Sequence, residues 1–175
     1  MIRTWTPENS PASISPERQK VVEVREWLSR CRYMTQEVEN QRDKIRRLKA
    51  ASTQTTQSFS GMPGGGESGD KIGKAAACII DEESGLKQRE AVLRKIKDEA
   101  YRRILWPLGN DPHYTGKMTE FLEGYYLDCA SADSKGHFQL VTYEQLAGRK
   151  DVDTSTVKKS MRRAIQILAL YWDAF

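Results

Sequence analysis

The sequence predicts an all-α protein: a long helical coiled-coil hairpin followed by a small helix-turn-helix domain. Three observations carry this. Two long segments, neither interrupted by proline, place apolar residues on one side at helical spacing and charged residues elsewhere. A Ser/Thr/Gly-rich stretch separates them. The last third holds a short amphipathic segment, a charged turn and a longer amphipathic segment. With 38% apolar and 30% charged residues among 175, the composition favours long solvated helices over a compact α/β enzyme.

Residues 1–15, MIRTWTPENSPASIS, have no period and read as a flexible tail. Ser15-Pro16-Glu17 then supplies a helix start, with Ser as N-cap and Pro at the first helical position. Val24, Trp27, Cys31, Met34, Val38, Gln41, Ile45 and Leu48 alternate by three and four, an a/d pattern with one polar position at Gln41. A helix of that reach, about 50 Å at 1.5 Å per residue, is too one-sided to stand alone and needs a partner. Residues 51–69 read as a flexible linker. Their glycines do not make a phosphate loop, because GGGESGDK lacks the required spacing and no apolar strand precedes it.

Ser68-Gly69-Asp70 offers caps for a second helix from Lys71 to Trp106. Its stripe is Ile72, Ala76, Ile79, Leu86, Leu93, Ile96, Ala100 and Ile104, with Glu83 and Glu90 exposed or paired to cations of the first helix. Gly85 weakens its middle by roughly 1 kcal/mol relative to Ala. Residues 16–106 thus form the hairpin, or else pair between two copies. Residues 107–175 form the second domain.

Pro107 ends the second helix, and Leu108 to Pro112 is turn chemistry. A third helix is expected over Tyr114–Cys129, with Met118, Phe121, Leu122 and Tyr125 inward. Ala130 to Gly136 read as a polar loop. Thr142 caps a short helix to Arg149, with Gln145 completing a capping box. After the turn Lys150–Asp153, Asp153 or Thr154 caps the last helix. Val157, Met161, Ala164 and Leu168 share its buried face. Ser155, Lys159, Arg162 and Gln166 project from the opposite face, flanked by Lys158 and Arg163.

A buried stripe backed by a basic, hydrogen-bonding stripe suits a helix that enters a DNA groove. Lys159 and Arg162, with Ser155, are the candidates for base edges. Thr156, Lys158 and Arg163 are the candidates for phosphates. The net charge of +4 is a weak signal by itself.

LAGRKDVDTSTVKKSMRRAIQIL, residues 146–168, resembles without a gap the last region of sigma-seventy-type RNA polymerase sigma factors. The matching residues are Leu146-Ala147, Val152, Thr156-Val157, Arg163-Ala164 and Leu168. Residues 114–130 look like the helix that precedes this motif in that fold. The layout over residues 20–170 is similar to a family of small phage and prophage proteins, known mainly as a domain of unknown function, with relatives regarded as late-gene transcription regulators. The resemblance implies a sigma-region-four-type helix-turn-helix, with double-stranded DNA and RNA polymerase as partners; the coiled coil by itself offers a surface for a homodimer. Two departures stand out. The loop Ser131 to Phe138 is longer than the usual connection, and Asp151 stands where Gly is common.

A second class of function fits the same features: a protein-interaction adaptor, binding polymerase or serving phage assembly or packaging, without sequence-specific DNA readout. An enzyme is not expected. His113 and His137 are the only histidines, and no nucleophile, carboxylate-pair or metal spacing converges on them. No cofactor is implied. Cys31, Cys78 and Cys129 fit no metal or disulfide framework and read as reduced thiols. No signal peptide or membrane span is visible, which suggests a cytoplasmic protein.

Overall fold

A computed structural model of the chain describes residues 15–57 and 71–174. These residues are mostly helical, with five α-helices and one two-stranded sheet among them. The expected tail, apart from Ser15, and residues 58–69 of the expected linker lie outside the described residues, as do Asp70 and Phe175.

Helix α1 runs Pro16–Gln57. The Ser15 carbonyl accepts its first bond, from the Gln19 N–H at 3.0 Å. Residues 51–57, expected in the linker, instead continue this helix. No glycine or proline occurs between Pro16 and Gly61 to end it, and the Ser52 and Thr53 hydroxyls donate back to the Lys49 carbonyl at 2.8 and 3.0 Å.

Helix α2 runs Lys71–Leu105 antiparallel to α1. Arg42 pairs with Glu90 at 2.6 Å, and Lys49, further along α1, pairs with Glu83, earlier in α2, at 2.6 Å. These pairs sit at the surface, so they set register more than they add stability. The buried seam of α1 passes through Val24, Leu28, Cys31, Thr35, Val38, Gln41 and Ile45. Trp27 and Met34, expected in that seam, are half-buried beside it. On α2, Ala76 is exposed although its spacing placed it in the stripe. Gln41 donates from Nε2 to the Glu82 carbonyl at 2.9 Å. A Cβ at Gly85 would lie 3.1 Å from that Nε2. The glycine that weakens α2 is thus where a buried polar side chain crosses.

A 3-10 turn, Trp106–Gly109, with Pro107 buried, leads to α3 at Gly116–Leu122. Helix α3 is shorter than expected and passes into a π turn at Glu123–Leu127, where the Asp128 N–H reaches the Glu123 carbonyl at 2.8 Å. The wider turn shifts the facing of the side chains that follow it. Tyr126 and Leu127 are buried, while Tyr125 stays half-buried rather than inward.

The expected polar loop is instead a hairpin of β1, Ala130–Ala132, and β2, Phe138–Leu140, with Ser131 opposite Gln139. Strands of three residues are too short for alternation to register in sequence. The turn is held by Asp133, whose Oδ1 accepts the Lys135 and His137 N–H groups at 2.8 Å each.

Helix α4, Tyr143–Arg149, and helix α5, Thr154–Tyr171, complete the chain, with a 3-10 turn at Trp172–Ala174. Val24, Leu28 and Cys31 of α1 and Ala100 and Ile104 of α2 belong to the same core as Leu122, Leu146, Val157, Met161 and Leu168. Burying each large aliphatic side chain contributes about 1.5–3 kcal/mol. The base of the long helices therefore supplies part of the floor on which α5 rests. Aromatic contacts close this end: Trp27 meets Trp172 edge-on at 5.2 Å, and Trp106 meets Tyr171 at 5.0 Å. Lys20 of α1 reaches Asp173 at 2.5 Å.

Candidate nucleic-acid interface

Helix α4 starts as its sequence dictates. Thr142 Oγ1 accepts the Gln145 N–H at 3.2 Å, and the Gln145 side chain accepts the Thr142 N–H at 3.0 Å. Leu146 and Ala147 point into the core. Beyond Arg149 the chain turns sharply. The Lys150 and Val152 N–H groups both donate to the Ala147 carbonyl, at 3.2 and 3.1 Å. Asp151 takes φ 51°, a left-handed conformation that glycine or a short polar residue tolerates best. Val152 then tucks against the core.

Asp153 is the N-cap of α5, through its carbonyl rather than its side chain: Thr156 and Val157 donate to it at 2.9 and 3.2 Å. The expected buried face holds, with Val157, Met161, Ala164 and Leu168 all buried. Ile165 and Ile167 are buried as well, widening the arc that faces α1, α3 and α4. Ser155, Thr156, Lys158, Lys159, Arg162 and Arg163 are all exposed. No acidic residue interrupts α5 from Thr154 to Tyr171.

The six candidates do not share one setting. Lys159 and Arg162 stand opposite the buried arc and form no ion pair with any described residue. Lys158 leans back toward α4: its Nζ lies 3.9 Å from Glu144 and 5.9 Å from the centre of the Tyr143 ring. Arg163 turns to the other flank, where it lines a groove with Arg18 and Val22 of α1 and with Gln166 and Leu170 of α5. Asp111 and Asp173, also in that groove, are engaged by Tyr171 at 3.1 Å and by Lys20.

Sequence reasoning missed Arg32. Its guanidinium donates to the Tyr125 carbonyl of the π turn and, at 3.0 Å, to the Val141 carbonyl just before α4. It also lies 3.9 Å from the Tyr125 ring centre, and Tyr125 stacks on Tyr143 at 4.4 Å with the planes 4° apart. Burial pushes the Tyr143 hydroxyl up to about 12. An a/d reading places Arg32 on the solvent side of α1, so no signal in one sequence singles it out.

Elsewhere, His113 is exposed, and His137 faces Asp133 of its own hairpin at 3.2 Å. Among the described residues no three His, Cys, Asp or Glu side chains gather as a metal ion would require. No helix among them is long and apolar enough to cross a membrane.

No family model, curated protein or solved structure matches the chain.

Proposed function

We propose that the protein is a DNA-binding transcription regulator of phage or prophage type. In this reading α4, the turn and α5 act as a sigma-like helix-turn-helix, carried on a coiled-coil hairpin of α1 and α2. One observation carries it: α5 presents Ser155, Lys159, Arg162 and Gln166 on a single exposed arc, with its whole opposite side buried. Arg162 and Lys159 are long enough to reach guanine O6 and N7 in a major groove, and Ser155 and Gln166 add hydrogen-bonding groups beside them. Thr156 and Arg163 take phosphates. Lys158 is a weaker phosphate candidate, because Glu144 already partly neutralises it. RNA polymerase is a further proposed partner, in keeping with the resemblance of residues 146–168, and a second copy of the chain is another, through the long helices.

The test is binding-site selection from random duplexes by the full chain, because residues 108–175 alone would lose the part of their core that α1 and α2 provide. The reading expects one enriched sequence, absent when Lys159→Ala and Arg162→Ala are combined. If no sequence is enriched while polymerase or a phage structural protein is retained, the adaptor reading replaces it.

A further inference from the structure

We propose that the DNA surface extends from α5 onto α1, where Arg18 and Arg25 hold phosphates of the same duplex. This rests on the DNA-binding reading above.

Arg18, Val22, Arg25 and Ser29 follow one another at i, i+4, i+7 and i+11, so they lie along one side of α1. Helix α1 packs directly on α5. Arg18 lines the same groove as Arg163, on the opposite wall. Arg25 stands two turns further along the same side of α1 as Arg18. Both arginines are exposed, and neither guanidinium is engaged by an acidic side chain among the described residues. Four other α1 cations are already committed: Lys20 to Asp173, Arg42 to Glu90, Lys44 to Glu82 and Lys49 to Glu83.

The placement is also rigid. The Lys20–Asp173 pair and the Trp27–Trp172 contact fasten the first turns of α1 to the end of α5. The flank therefore keeps its position while α5 enters a groove, and the two arginines meet the backbone without an ordering cost beyond their own side chains. Glu17, on the same first turn, opposes phosphate and limits the patch to its Arg18 side.

The experiment measures duplex affinity of the full chain against salt concentration, with a random-sequence duplex. Every phosphate that the protein no longer neutralises lowers the slope of log K against log salt by about 0.9. Arg18→Gln with Arg25→Gln is expected to lower it by about 1.8. Arg47→Gln removes the same kind of exposed, unpaired charge from the far end of α1, and is expected to leave the slope unchanged. Helicity checks that all variants fold. If the double variant keeps the wild-type slope while Lys159→Ala with Arg162→Ala loses binding, α5 acts without α1, and this inference alone fails. If the wild type binds no duplex at low salt, both readings fail.

Discussion

Replacing Gly124 by alanine puts a methyl group where the π turn faces Leu146 of α4. A Cβ built there lies 2.9 Å from Leu146 Cδ1. Carbon atoms in contact sit about 3.5–4.0 Å apart, so roughly 0.6 Å or more must be found. Leu146 is 1% exposed and packed in the central core, so it has little room to yield. Overpacking of this kind costs about 1–3 kcal/mol, and the higher helical propensity of alanine returns at most about 1 kcal/mol. The expected net loss is about 1–2 kcal/mol, or a Tm lower by roughly 2–8 °C in a chain of this size. Thermal unfolding followed by circular dichroism measures it. Leu146→Val removes the clashing atom, so in the double variant the two costs are expected to fall short of additive by about 0.5 kcal/mol or more. An unchanged or raised Tm for Gly124→Ala, or strict additivity, would refute the close approach of the π turn to α4.

Three further outcomes are expected. Asp151→Gly relieves the left-handed backbone at φ 51° and is expected to stabilise by about 0.5–1 kcal/mol, seen as a higher urea midpoint; Asp151→Val is expected to lower it. Lys44, Lys49 and Lys150 hold the carboxyls of Glu82, Glu83 and Glu120 below their usual value near 4.5. Their contribution is therefore present above that value and lost as pH falls through the depressed folded values, so the urea midpoint is expected to drop on acidification, less so in high salt. Burial pushes the Cys31 thiol up to about 11 and also covers Cys129, whereas Cys78 is exposed. A thiol reagent is expected to modify Cys78 in the native protein, with Cys31 and Cys129 following only at the rate of unfolding.

The helices of this protein were legible because their signals are local and repeated. The Thr142–Gln145 capping box and the Val157, Met161, Ala164 and Leu168 spacing are each complete within one element, and both are found as read. What escaped depends on contacts between elements or on geometry that single spacings do not encode. The π turn moved Tyr126 and Leu127 inward ahead of Tyr125 because one wider turn resets the helical phase. The seam of α1 runs through Leu28 and Thr35 because α1 packs on α5, the π turn and β2 as well as on α2. Arg32 looked like one solvated cation among many, and its two carbonyl partners come from residues about a hundred positions away. Lys158 differs from Lys159 only through Glu144 and Tyr143 of the neighbouring helix.

The most direct measurement is the equilibrium affinity of the full chain for its selected duplex, compared between the wild type and the Lys159→Ala, Arg162→Ala variant. Two base contacts at about 1–3 kcal/mol each correspond to a loss of roughly thirtyfold or more, with helicity and Tm unchanged. Equal affinity in the two proteins would contradict the assignment of α5 as the helix that reads DNA.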